Sequence, residues 1–131
     1  MRYLGVDYGL KKVGLALSEG QIASPFKVVD VTSLKDAVNK ISSIIEKEQI
    51  DRVIVGVPES GQSKNAVKKF LNEIKSKLKE KEVSIIEADE TLSSSEAVDL
   101  MVDLNTSRES RQKEDAYSAS IILQNFLDSI A

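Results

Sequence analysis

Three acidic positions fall where the chain passes from one predicted element to the next. Asp7 closes an apolar run and precedes Tyr8-Gly9, which is a turn signal. Asp89 and Glu90 follow a later apolar run, and Asp115 stands early in the last helical pattern. Because the carboxyl ends of strands in an open α/β sheet are where ligands bind, carboxylates at these positions predict a shared acidic site.

Each acid also has a simpler structural explanation when it is taken singly. Asp7 is a suitable turn residue before glycine, and Asp115 in a first helical turn interacts favourably with the helix dipole. The pair Asp89-Glu90 is equally well explained as solvated loop acids before a helix capped by Ser93. Glu59, after Pro58, is interpreted as an exposed loop acid. The functional interpretation therefore depends on the acids meeting in space.

The residue inventory restricts the chemistry that such a site can do. The sequence contains no histidine and no cysteine, which excludes Ser-His triads, His-ligated zinc and thiolate metal sites. Carboxylates that hold hard divalent cations remain the simplest hydrolytic solution. Phosphodiester hydrolysis needs charge neutralised on the phosphate and an activated water, and two Mg²⁺ ions can provide both. We therefore predict Mg²⁺ or Mn²⁺ as the cofactor.

Basic residues flank the predicted acidic site in the sequence. They are Lys11, Lys12, Arg108, Arg111 and Lys113, and the last three lead directly into Asp115. We predict that they contact substrate phosphates, although a solvated helix or loop face would explain them equally well. A further group comprises Lys64, Lys68 and Lys69. The net charge of −3 and the estimated pI of about 5.1 argue against strong non-specific nucleic-acid binding.

The apolar periodicity predicts a single α/β domain over residues 1–131. Strands are expected at 2–7, 13–17, 22–31, 52–57 and 83–86, where the apolar residues alternate or run continuously. Helical spacing follows from Leu34, from Ala66 and from Ser93 to about Leu104. After a polar connection at 105–112, a last helix carries Ala116, Ala119, Leu123, Phe126 and Ile130. The order predicts an antiparallel meander plus parallel strands, forming a mixed five-stranded sheet with helices on both faces.

No apolar run approaches the ~20 residues that a membrane span requires. The start of the chain lacks a signal-peptide pattern, and the absence of cysteine suits a reducing compartment. We therefore expect a cytoplasmic protein with no membrane partner.

Four motifs in order resemble those of one known family. They are the opening hairpin Asp7-Tyr8-Gly9-Leu10-Lys11-Lys12-Val13-Gly14, the strand end Val55-Gly56-Val57-Pro58, the segment Asp89-Glu90-Thr91-Leu92-Ser93, and the helix Asp115-Ala116-Tyr117-Ser118-Ala119. Together they span nearly the whole chain. The sequence resembles the pre-16S ribosomal RNA nucleases, an RNase H-like and Holliday-junction-resolvase-like family.

The resemblance implies an RNase H-like fold and a cytoplasmic nuclease that depends on a divalent metal. It implies Asp7, Glu90 and Asp115 as the catalytic, metal-holding acids, with Asp89 as the alternative to Glu90. The implied substrate is pre-16S rRNA, cleaved during 5′-end processing, or branched nucleic acid. Ribosomal precursor particles are a further implied partner.

Two other functions remain open at the level of sequence. A nucleic-acid or ribosome-assembly binding module with the same fold but weak or no activity would explain the acidic pI. It would also explain Thr91, which stands where the family carries arginine. A phosphate-binding ATPase would explain the Asp-x-Gly hairpin, but such enzymes need two related domains and 131 residues supply one.

Overall fold

A computed structural model describes residues 1–89 and 108–130, with the backbone alone described over 108–114. Five strands and three helices lie in these ranges. They are β1 (Tyr3–Tyr8), β2 (Lys12–Ser18), β3 (Ala23–Asp30), α1 (Leu34–Lys47), β4 (Arg52–Val57), α2 (Gln62–Lys77), β5 (Ser84–Asp89) and α3 (Arg108–Ser129). None of the helices within these ranges is long and apolar enough to cross a membrane.

The strands form one sheet in the order β3-β2-β1-β4-β5. The first three strands pair antiparallel as a meander, and β4 and β5 add in parallel to β1. Parallel pairing requires a crossover between strands, and α1 and α2 provide the two crossovers. This arrangement confirms the predicted mixed five-stranded sheet.

Side chains alternate between two apolar layers on opposite faces of the sheet. Leu4 and Val6 of β1 point into the larger layer, which α1 and α2 cover. Tyr3 points into the smaller layer together with Ala119 and Leu123 of α3. The sheet therefore has helices on both faces, and α3 packs on the face opposite α2.

The predicted end of the last strand and the predicted start of the last helix were wrong, and both errors concern acids of the predicted site. The strand predicted to end at residue 86 continues to Asp89, because β5 pairs with β4 as far as Val57 opposite Asp89. The last helix begins at Arg108 within the stretch predicted to be a polar connection, so Asp115 lies two turns inside it. The dipole explanation for Asp115 therefore fails. The helix predicted from Ser93 to Leu104 lies outside the described residues.

The start of α1 is fixed by a reciprocal cap. The Ser33 hydroxyl accepts a hydrogen bond from the Asp36 backbone N–H at 3.0 Å. The Asp36 carboxylate reaches back one residue further than in a standard capping box and accepts from the Thr32 N–H at 2.9 Å. This hydrogen bond, together with Lys40, lowers the pKa of Asp36 below its ordinary value.

The cap predicts an acid-dependent loss of stability. Because the pKa of Asp36 is lower in the folded than in the unfolded chain, its stabilisation is complete above the unfolded pKa and is lost as pH falls through the folded pKa. Urea unfolding at a series of pH values should therefore show the wild type losing its advantage over Asp36→Asn below about pH 4. A difference that stays constant down to pH 2 would contradict this. The exposed Glu73 provides a control in Glu73→Gln, which should change the profile less.

Candidate active site

Asp7 lies on the face of the sheet that α3 covers. The next residue, Tyr8, points the other way and stacks on Phe70 of α2, with ring centroids 4.6 Å apart. Gly5, two residues before Asp7, faces the Ala119 carbonyl of α3. Since alternate residues of a strand share a face, the Asp7 side chain projects on the α3 side.

Asp115 reaches the same place because Gly14 has no side chain. Gly14 is the cross-strand partner of Asp7. A Cβ atom at Gly14 would lie 2.0 Å from the Asp115 carbonyl oxygen and 3.0 Å from the Ala116 nitrogen. The helix backbone therefore rests directly on Gly14 at Asp115. Facing Cα atoms of an antiparallel pair are about 4.5–5.5 Å apart, so Asp115 lies close to Asp7.

The spacing of a second contact shows that the two aspartates lie at the same level. A Cβ atom at Gly5 would lie 2.8 Å from the Ala119 carbonyl oxygen. Gly5 and Asp7 are two strand residues apart, which is about 6.6 Å, and Ala119 and Asp115 are four helix residues apart, which is about 6 Å. α3 therefore runs antiparallel to β1, and the two elements cover nearly the same distance between these two contacts.

The other neighbour of Asp7 in the sheet is also small. The register of β1 and β4 pairs Val6 with Val55, so Gly56 comes level with Asp7 one residue later. Gly56 in turn pairs with Ala88 of β5. Gly56 and Ala88 therefore contribute no large side chain of their own to this face of the sheet beside Asp7.

Asp89 belongs to the opposite face of the sheet. It is two residues after Glu87, whose carboxylate contacts Lys68 and Lys75 of α2. The hydrogen bond from Lys68 is the main cause of the lowered pKa of Glu87. By strand alternation Asp89 shares this α2 side, whereas Asp7 projects on the α3 side. Glu90 lies outside the described residues, and within the described ranges no group of three or more carboxylates could hold a metal ion.

The predicted basic residues fall into three groups. Lys11 and Lys12 are exposed at the tip of the β1–β2 hairpin, next to Asp7 along the chain. Arg108, Arg111 and Lys113 occupy the first two turns of α3, which lead to Asp115, and only their backbone is described. Lys68 donates a hydrogen bond to the Glu87 carboxylate, and this structural role was not evident from its position in the sequence. Glu59 is exposed after β4, as predicted.

The sequence pattern did not reveal the role of Gly5 and Gly14, the two glycines that let α3 approach the sheet. Gly14 was noticed as part of the hairpin motif, but its contact with Asp115 was not predicted. The only local signal is glycine at a buried position inside a strand, which indicates close approach of another backbone. Nor did the pattern reveal Gln62 and Asn65 on α2, which line a cleft on the α2 side of the same hairpin.

Comparison with solved structures defines the class of fold. The Holliday junction resolvase of fowlpox virus superposes with a TM-score of 0.67 at 13% identity, covering all of both chains. RuvC of T. thermophilus in complex with Holliday junction substrate gives 0.63 at 16% identity, covering 99% of this chain and 95% of that chain. These are RNase H-like folds, and the predicted fold class is confirmed.

The family follows from sequence comparison. The family model described as "RuvX: Holliday junction resolvase" matches residues 1–129. A relative from Fusobacterium nucleatum subsp. nucleatum, named "Putative pre-16S rRNA nuclease", is 36% identical over 134 residues, or 97% of this chain and 96% of the relative. The chain belongs to the RuvX family of Holliday junction resolvases. The resemblance drawn from the four sequence motifs is thereby confirmed.

The contact at Gly14 predicts a graded response to added methyl groups. Gly14→Ala places its Cβ against helix backbone that cannot move as a flexible side chain can, so α3 must shift. We expect a loss of about 1–3 kcal/mol in the free energy of unfolding, as for other overpacked sites. Gly5→Ala meets α3 at the longer distance and should cost less. Urea denaturation measures both, and a Gly14→Ala variant as stable as the wild type would contradict the contact.

Proposed function

We propose that this protein is a divalent-metal-dependent nuclease that hydrolyses phosphodiester bonds of the pre-16S rRNA at its 5′ end. The observation that carries the proposal is the contact of the α3 backbone with Gly14, which brings Asp115 beside Asp7. The two carboxylates, which are more than a hundred residues apart in the sequence, belong to a strand and a helix.

The donor set beside Asp7 suits Mg²⁺ or Mn²⁺. Both ions prefer hard oxygen ligands, and Asp7 and Asp115 supply carboxylates from a strand and a helix. Gly14, Gly56 and Ala88 add no large side chains of their own to the adjacent sheet surface. When bound there, such ions supply neutralisation of phosphate charge and activation of the attacking water. We propose Glu90 as the third ligand, because Asp89 belongs to the α2 side.

The remaining predicted residues would position the substrate. Lys11 and Lys12 at the hairpin tip are exposed and form no ion pair with any described residue. They can neutralise phosphates that flank the cleaved bond. We assign the same role to Arg108, Arg111 and Lys113, which precede Asp115 in α3.

The proposed substrate rests on family membership. The relative from Fusobacterium nucleatum carries the name of a pre-16S rRNA nuclease and is matched along nearly its whole length. Branched nucleic acid is the second candidate, favoured by the fold that the chain shares with junction resolvases. Ribosomal precursor particles would present the RNA, and a cytoplasmic location suits both substrates.

Removing either aspartate should abolish cleavage without unfolding the protein. Asp7→Asn and Asp115→Asn each remove a negative oxygen ligand but keep the side-chain shape, and we expect cleavage to fall by about 100-fold or more. Glu90→Gln should behave in the same way. Single-turnover cleavage of a pre-16S rRNA fragment in Mg²⁺ or Mn²⁺ measures the loss, and circular dichroism checks the fold.

Two control substitutions distinguish the effect of losing a site carboxylate from the effect of losing any negative charge. Asp128→Asn removes an exposed acid from the far end of α3, and Asp89→Asn removes the acid on the other side of the sheet. Both should retain cleavage within about twofold. Wild-type activity in the Asp7 and Asp115 variants would refute the site, and a wild type that binds RNA without turnover in Mn²⁺ would favour the binding module instead.

Chelation gives an independent test of metal dependence. Cleavage by the wild type should cease in EDTA and return when Mg²⁺ or Mn²⁺ is added in excess, because the carboxylates alone cannot neutralise a phosphate. The same cycle performed with Asp89→Asn should give the same recovery. Cleavage that persists in EDTA after exhaustive dialysis would contradict the proposed cofactor.

A further inference from the structure

A cleft of about 470 Å³ lies on the α2 side of the β1–β2 hairpin. Its size is within the range of small-ligand sites in proteins. It is lined by residues of the hairpin and of the first turns of α1 and α2, namely Tyr8, Leu10, Thr32, Ser33, Leu34, Gln62, Asn65, Ala66 and Lys69. We refer to it as the hairpin cleft.

The hairpin cleft and the acidic site are separated by the thickness of one strand. Tyr8 lines the cleft, and Asp7, the residue before it, projects to the other side of β1. Consecutive Cα atoms are about 3.8 Å apart. Because both sites lie at the same end of β1, a strand of nucleic acid that crosses this edge of the sheet with a phosphate at Asp7 can place a neighbouring nucleotide at the cleft.

One face of α2 supplies the polar groups of the cleft. Gln62, Asn65 and Lys69 follow the spacing that places residues on the same side of a helix. The two amides offer both donors and acceptors, and Lys69 forms no salt bridge with any described residue. By contrast the hydroxyls of Thr32 and Ser33 are already engaged with Asp36 in the α1 cap. Besides the Tyr8 hydroxyl, the groups left to bind a ligand are therefore two amides and an ammonium.

The apolar part of the cleft suits the flat face of a base. Leu10 is 71% exposed at the hairpin tip, between the cleft and the exposed Lys11. Tyr8, which also lines the cleft, is held in place by its stack on Phe70. Proteins that bind nucleic acid insert exposed apolar side chains, leucine among them, against partly unstacked bases, and Leu10 is exposed in a position to contact a base in this way.

We propose that the hairpin cleft binds one unpaired nucleotide of the substrate RNA next to the cleaved phosphodiester, with Gln62 and Asn65 hydrogen-bonding its base and Lys69 contacting its phosphate. The inference rests on the proposed nuclease function for the position of the cleaved bond. It adds a specificity site to that function, because amides that contact base edges distinguish one base from another. Cleavage should therefore depend on base identity at one position beside the cut.

The cleavage test uses RNA oligonucleotides that carry each of the four bases in turn at positions flanking the cut. The wild type should show about a tenfold range in single-turnover rate at one of these positions. The double variant Gln62→Ala/Asn65→Ala should cut all four at rates within about twofold of one another. Asn72→Ala, an exposed amide elsewhere on α2, is the matched control and should keep the wild-type preference. A preference that survives in the double variant with cleavage intact would overturn the proposal.

The binding test does not depend on catalysis. Fluorescence anisotropy with the Asp7→Asn variant measures binding of two single-stranded RNAs that differ only in whether one nucleotide carries a base or is abasic. The abasic nucleotide is placed at the preferred position. If the wild type shows no cleavage, it is placed at each central position in turn. The RNA that carries the base should bind about tenfold more tightly, and adding the Gln62→Ala/Asn65→Ala changes should remove this difference. Adding Lys69→Ala should instead lower the affinity for both RNAs by the same factor. A base-dependent affinity without any cleavage by the wild type would support the cleft and refute the nuclease. Equal affinity for the two RNAs, or no binding, would overturn the cleft.

Discussion

The close approach of α3 to the sheet is the contact on which the rest of the site depends. At Gly5 and Gly14 the helix backbone occupies the space where side chains would otherwise stand. The approach is held further along the helix by Gln124, whose amide accepts from the Ala23 N–H and donates to the Gln21 carbonyl. An acid on this helix is consequently placed by main-chain contacts rather than by its own side-chain packing. That rigidity is what a metal-holding carboxylate needs.

Most of the architecture could be predicted from the sequence because the apolar pattern is strong in the central strands. The continuous run from Arg52 to Val57 predicted a strand covered on both faces, and β4 is one. The limits of β5 and α3 were not predictable in this way. Asp89 is in a strand because β4 pairs with it, and the polar residues from Arg108 onward are helical although their local pattern is that of a connection. The error at β5 comes from tertiary pairing, which overrides local composition.

The candidate site was predictable as a set of residues but not as a geometry. Asp7 was predicted from its place before a turn. No local feature of the sequence indicates that the approach of α3 at Gly14 would place Asp115 near Asp7. The choice between Asp89 and Glu90 was open in the sequence, and strand alternation with Glu87 now assigns Asp89 to the α2 side. The amides of the hairpin cleft escaped notice because exposed polar residues on a helix have no distinctive pattern. Their significance appears only once the hairpin and α1 close the other walls.

The net charge of −3 does not exclude a local basic surface, because ion pairs cancel charge only where they form. Glu87 contacts two lysines and Asp36 pairs with Lys40, whereas the lysines of the hairpin tip have no such partner among the described residues. The central claim is that Asp7 and Asp115 together hold a cation. A crystal structure grown with Mn²⁺ and measured at the manganese absorption edge tests it most directly. The account predicts an anomalous peak within roughly 2.1 Å of carboxylate oxygens from both residues. Manganese bound elsewhere, or carboxylates that point away from each other with no peak between them, would contradict it.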